Sequence, residues 1–97
     1  MIIENLDHQL IESILRKHDV QYAGVFGSRA RGDSKPDSDL DLLVRFVSPK
    51  SLFDLIGLEQ SLSDKLAIKV DVVTEAALHP YLKPYVFKDL RVFYGKR

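Results

Sequence analysis

Cysteine and tryptophan are missing from this chain, and methionine occurs once. Without cysteine there is no disulfide and no thiolate metal centre. Three scattered histidines (His8, His18, His79) do not compose a zinc site either. Net charge is missing too: 14 Lys+Arg stand against 14 Asp+Glu. That balance argues against direct binding of nucleic acid or anionic membrane, which rests on excess positive charge. No apolar run approaches the roughly 18–20 residues of a membrane span, and Met1 to His8 lack the basic-then-apolar layout of a signal peptide. The expectation is a cytoplasmic protein with no membrane association. Repeats, low-complexity tracts and linkers are absent as well. With 97 residues, 45% of them hydrophobic and 29% charged, residues 1–97 read as one small globular domain with a single modest core. Any metal held here would be a hard cation on oxygen ligands.

What is present reads as alternating elements. Asn5 is the expected N-cap of a first helix, with Leu6, Leu10, Ile11, Ile14 and Leu15 at helical spacing and Arg16 and Lys17 in its last turn. Residues 20–26 (VQYAGVF) are β-rich and end at Gly27. A polar segment with Gly32 and Pro36 follows, helical in its first turn at most. Residues 39–47 predict a strand with Leu40, Leu42, Val44 and Phe46 on one face and Asp39 and Asp41 on the other. Ser51 and Asp54 form a capping box that opens a helix to about Leu66, with an expected stripe of Leu52, Leu55, Ile56, Leu62 and Leu66. Residues 68–74 predict a third strand centred on Asp71. Pro80 and Pro84 limit further helix to pieces within 75–90, and Val92 to Gly95 suggests a short edge strand. The fold class is α/β of the α+β type: a small mixed β-sheet with helices packed on one face.

Three strand carboxylates need a reason. Asp39 and Asp41 leave the same face about 7 Å apart along their strand. Asp71 interrupts the apolar run Val70, Val72, Val73, where an unpaired buried charge is costly. If the two strands are neighbours, one face presents all three, and crowded like charges call for something positive between them. Magnesium fits that demand, and two such ions about 3.5–4 Å apart would make a nucleotidyl- or phosphoryl-transfer site. Gly27 lets a phosphate approach the backbone closely, and Ser28 supplies a hydroxyl and an N–H beside it. A P-loop is excluded: Gly27 and Gly32 have its glycine spacing, but Asp33-Ser34 stands where Lys-Ser/Thr is required.

Gly27-Ser28, ten residues, then Asp39-Leu40-Asp41 resembles the signature of the DNA polymerase β-like nucleotidyltransferase superfamily, with Asp71 matching its third carboxylate. The helix SLFDLIGLEQSLSDKL followed by KVDVVT is similar to the minimal nucleotidyltransferase (MNT) proteins, so the resemblance covers residues 7–94. It implies the polymerase β-like fold, with Asp39, Asp41 and Asp71 as catalytic residues and metal ligands. Gly27, Ser28 and Arg31 are the nucleotide-binding set. The implied cofactor is Mg2+ as two ions, with Mn2+ as a substitute, and ATP is the substrate. The implied partner is a HEPN-type RNase toxin, adenylylated on a tyrosine by an antitoxin of this kind.

Other readings of the same residues stay open at this point. Asp39 and Asp41 also suit a solvated strand start, and Asp71 an edge charge that discourages aggregation. Arg29 is a second candidate for the triphosphate, and Arg29 and Arg31 alike suit a solvated helix. Two rival functions stand beside the implied one: a binding-only antitoxin, against which the intact Gly27, Ser28, Asp39, Asp41 and Asp71 speak, and a nucleotidyltransferase of small-molecule hydroxyls with its site at a homodimer interface. From Lys83 onward Lys83, Lys88, Arg91, Lys96 and Arg97 face one acid, Asp89, which makes this stretch a candidate docking surface. Tyr81, Tyr85, Phe87, Phe93 and Tyr94 are read as core or partner surface rather than base-stacking residues.

Overall fold

The structure, a computed structural model, describes residues 6–33, 35 and 38–96. The chain runs α1 (His8–Lys17), β1 (Val20–Phe26), α2 (Ser28–Arg31), β2 (Leu40–Phe46), α3 (Leu52–Leu66), β3 (Val70–Thr74), α4 (Lys83–Asp89) and β4 (Arg91–Gly95). One mixed sheet has the order β3-β2-β1-β4. β1 is antiparallel to β2 and β4, and β2 is parallel to β3 with α3 as the crossover between them.

Alternation along β2 divides the two faces. Leu40, Leu42 and Val44 are fully buried in the main core with Ile11, Leu15, Val25, Leu58 and Leu62, beneath α1 and α3. Leu43 faces the other way and packs with Leu78 and Val86, so the short α4 covers part of the second face that the sequence reading left without a helix. At one end of that second face the Tyr22 hydroxyl donates to Glu75, which also accepts from Arg45 at 2.7 Å. The other end of the face carries Asp41 and Asp71. Among the described residues no helix is long and apolar enough to cross a membrane.

Two local expectations are corrected. The N-cap of α1 is Asp7, whose Oδ1 accepts the Leu10 N–H at 3.0 Å; Asn5 lies outside the described residues. Either residue type can cap, and the helix starts where the side chain stands three residues before the N–H it accepts. In α3 the buried residues are Leu58 and Leu62, with Leu55 and Leu66 beside them, while Leu52 is 69% and Ile56 42% exposed. At roughly 100° per residue, 55, 58, 62 and 66 share one stripe and Ile56 falls about a third of a turn from its centre. The capping box is as read: Ser51 Oγ accepts the Asp54 N–H at 3.2 Å and Asp54 Oδ2 accepts the Ser51 N–H at 3.0 Å. Pro84 sits in the first turn of α4, where a missing N–H costs nothing.

Candidate active site

The sheet order brings the carboxylates together. β2 is a central strand, so Asp41 has one neighbour on each side: Phe26 across the antiparallel pair and Asp71 across the parallel one. Phe26 is the last residue of β1, and Gly27 turns the chain out of the sheet into α2. Asp39 lies just before β2, half-exposed, with Lys69 Nζ 3.9 Å from its Oδ2. Lys69 thus sets an ammonium group beside this carboxylate.

Gly27 has φ +77° and ψ −154°, a region open in practice only to glycine. A Cβ at this position would meet Asp41 Oδ2 at 2.6 Å. Gly32, with φ +80°, ends α2 in the left-handed region, so the short helix is bounded by two glycine-dependent turns. Ser28 opens α2 and is partly buried.

The two arginines of α2 diverge. Arg29 donates from Nε and Nη2 to the Ser38 carbonyl at 3.2 and 2.7 Å, tying α2 to the residue that precedes Asp39. That bond engages the guanidinium that the sequence also offers to a triphosphate. Arg31 donates to Asp89 Oδ2 at 2.8 Å and to Asp33 Oδ2 at 3.3 Å, which raises its pKa further. Asp89, at the end of α4, was legible in the sequence only as the lone acid of a basic stretch.

Burial first, then the Asp71 and Asp39 carboxylates, push the Asp41 carboxyl above the usual aspartate range, and the Lys69 and Arg31 charges offset part of this. Asp41 thus feels the charge of both other acids. As placed they form an open arrangement: among the described residues no three His, Asp or Glu side chains are gathered tightly enough to hold a metal ion unaided. A hard cation nonetheless fits the donors, which are all carboxylate oxygens, with Asp41 set between the like charges of Asp71 and Asp39. Magnesium sites of this kind are completed by substrate phosphates and water. A hollow of about 810 Å³ lies at the opposite ends of β2 and β3, among Phe46, Leu52, Leu55 and Glu75, and holds none of these carboxylates.

Comparison with known proteins places the chain in a family. Residues 8–93 match the nucleotidyltransferase domain family. A Methanocaldococcus jannaschii protein provisionally named as a protein adenylyltransferase, MJ0435, is 42% identical over 89 residues, 92% of this chain and 95% of its own length. A chain of a toxin–antitoxin complex crystallised with AMP-PNP superposes with a TM-score of 0.82 at 24% identity, over 95% of this chain and 76% of that one. A chain from the complex of tri-AMPylated HEPN toxin with MNT antitoxin from Shewanella oneidensis gives 0.69 at 23% identity, over 91% and 72% respectively. At such identities the two structures establish the shared fold. The chain belongs to the nucleotidyltransferase domain family.

Proposed function

We propose that this chain transfers AMP from ATP to a tyrosine hydroxyl of a partner HEPN-type toxin and thereby acts as its antitoxin. The observation that carries the reading is the position of Asp41, level with Asp71 on one side and against the Gly27 turn on the other. Phosphate-approach backbone and paired carboxylates then face the same small volume. The name of the M. jannaschii relative supports protein as the acceptor, and the toxin–antitoxin complexes support a HEPN partner.

Asp39, Asp41 and Asp71 would hold Mg2+, as two ions, with Mn2+ able to replace it, and the bound metal would supply neutralisation of phosphate charge and a more acidic acceptor hydroxyl. Gly27 admits the outgoing phosphates to the backbone, and Ser28 and Arg31 hold them by hydrogen bond and charge. The acceptor oxygen bonds to the α-phosphorus as the bond from that phosphorus to the pyrophosphate oxygen breaks. The hydroxyl proton passes to Asp71. Catalysis of this kind is positioning and charge neutralisation, which a domain this small can supply.

The test is an intact-mass measurement. With a cognate HEPN toxin, ATP and Mg2+, the toxin gains about 329 Da per adenylyl group transferred, and its RNase activity falls. Asp41→Asn still binds the toxin but leaves its mass unchanged. Neutralisation by Asp41→Asn equal to wild type, with no mass change in either, establishes a binding-only antitoxin instead.

A further inference from the structure

β3 is an outer strand: β2 pairs with one of its edges, and among the described residues no strand pairs with the other. The Leu40 N–H donates to the Lys69 carbonyl at 2.9 Å, so Lys69, Asp71 and Val73 direct their backbone groups at β2. By alternation Val70 and Val72 direct theirs outward. Both outward N–H groups are taken by side chains of α3: Val70 donates to Ser63 Oγ at 3.0 Å and Val72 to Glu59 Oε2 at 2.8 Å. The match is geometric. Four residues of helix rise about 6 Å and two of strand about 6.6 Å, so an i,i+4 pair on α3 meets an i,i+2 pair on β3.

The single residue between the two anchored positions is Asp71. Like charges abreast on neighbouring strands repel, and Asp41 and Asp71 are register partners. The repulsion falls on the outer strand, which has a sheet partner on only one side. Unanchored, β3 would relieve it by sliding or peeling from β2. We propose that Glu59, assisted by Ser63, is a positioning residue for Asp71: it holds β3 in the register that keeps the two carboxylates level for the cation. This rests on the reading of Asp71 as a metal-holding carboxylate. A carboxylate acceptor makes the stronger of the two anchors, since hydrogen bonds to ionised acceptors are about twice as strong as neutral ones.

The test is Mn2+ binding in the presence of ATP, followed by calorimetry, in wild type, Glu59→Ala, Glu59→Gln, Ser63→Ala and Asp71→Asn, with circular dichroism as the check on folding. Loss of an outer support typically costs 10–100-fold in metal affinity. Glu59→Ala should lose at least tenfold while remaining folded. Glu59→Gln, whose side-chain carbonyl still accepts the Val72 N–H, should stay within about threefold, and Ser63→Ala should fall between wild type and Glu59→Ala. Wild-type Mn2+ affinity in folded Glu59→Ala, or a loss in Glu59→Gln equal to that in Glu59→Ala, overturns the proposal while Asp71→Asn still shows its own loss. Should Glu59→Ala not fold, an unchanged affinity in Ser63→Ala overturns it instead. Wild-type affinity in Asp71→Asn overturns the carboxylate reading itself, and the positioning role with it.

Discussion

Asp41 Oδ2 occupies the space in which a side chain at position 27 would begin, 2.6 Å from the point a Cβ would take. The turn leaving β1 and the second carboxylate of β2 are therefore one structural unit, and glycine is required there twice over. Its φ of +77° with ψ of −154° excludes other residues by backbone strain, and Asp41 excludes them by contact.

Gly27→Ala is accordingly expected to be less stable by about 1–3 kcal/mol, the usual cost of such a backbone conformation in a non-glycine residue. It should also lose the rise in melting temperature expected of the wild type with Mg-ATP, because the displaced Asp41 and the added methyl would both obstruct the phosphates. Ser28→Ala should keep part of that rise, since backbone approach at Gly27 survives. Equal ATP affinity in Gly27→Ala and wild type, by calorimetry, removes this turn from the nucleotide site.

The Asp41 carboxyl sets a pH dependence whose sign is fixed by the direction of its shift. Its pKa in the folded chain is raised, chiefly by burial and then by Asp71 and Asp39. The folded state thus binds this proton more tightly than the unfolded chain, where aspartate titrates near about 3.9. The associated stability is full below that value and is lost as pH rises through the raised pKa. In chelator, Asp41→Asn should be more stable than wild type at pH 7.5, and the advantage should shrink as the pH falls toward 3.5. Urea unfolding at the two pH values measures this. An advantage that is the same at both, or absent at pH 7.5, contradicts the electrostatic account of the trio.

Much of this arrangement is legible in the sequence because its signals are local. Period-two alternation from Leu40 to Phe46 assigns the faces of β2, and Gly27-Ser28 with Asp39 and Asp41 needs only spacing. The Ser51–Asp54 capping box is local as well. What the sequence conceals are bonds whose partner is a backbone group far along the chain. Arg29 on the Ser38 carbonyl and Glu59 on the Val72 N–H have no residue-type signature at the receiving end. In α3, Leu52 and Ile56 are as apolar as Leu58, so composition does not separate them; the 100° step sets Ile56 off the stripe, and Leu52, in the first turn, is left exposed. The aromatic C-terminal stretch divides in the same way. Phe87, Phe93 and Tyr94 pack on the two cores, whereas Tyr81 and Tyr85 are exposed, and composition treats all five alike.

Arg31 supplies the last prediction. Its guanidinium is engaged by Asp89 and Asp33, yet its charge is also felt at Asp41, so it stands beside the candidate nucleotide site. A triphosphate binding there competes with Asp89 for the same donors. Asp89→Asn weakens the competitor and should tighten ATP binding, by up to about fivefold, the range an exposed ion pair spans. The fold should tolerate the change, because an acid in the last turn of α4 opposes the helix dipole. Arg31→Ala should weaken ATP binding, and Asp89→Asn added to it should bring no gain. Calorimetric titration of ATP into the four proteins at one ionic strength closes the cycle. If Arg31→Ala binds ATP as wild type does, Arg31 belongs to the α2–α4 contact alone. If Asp89→Asn tightens binding even without Arg31, the effect is the loss of a nearby negative charge and not the release of a phosphate ligand.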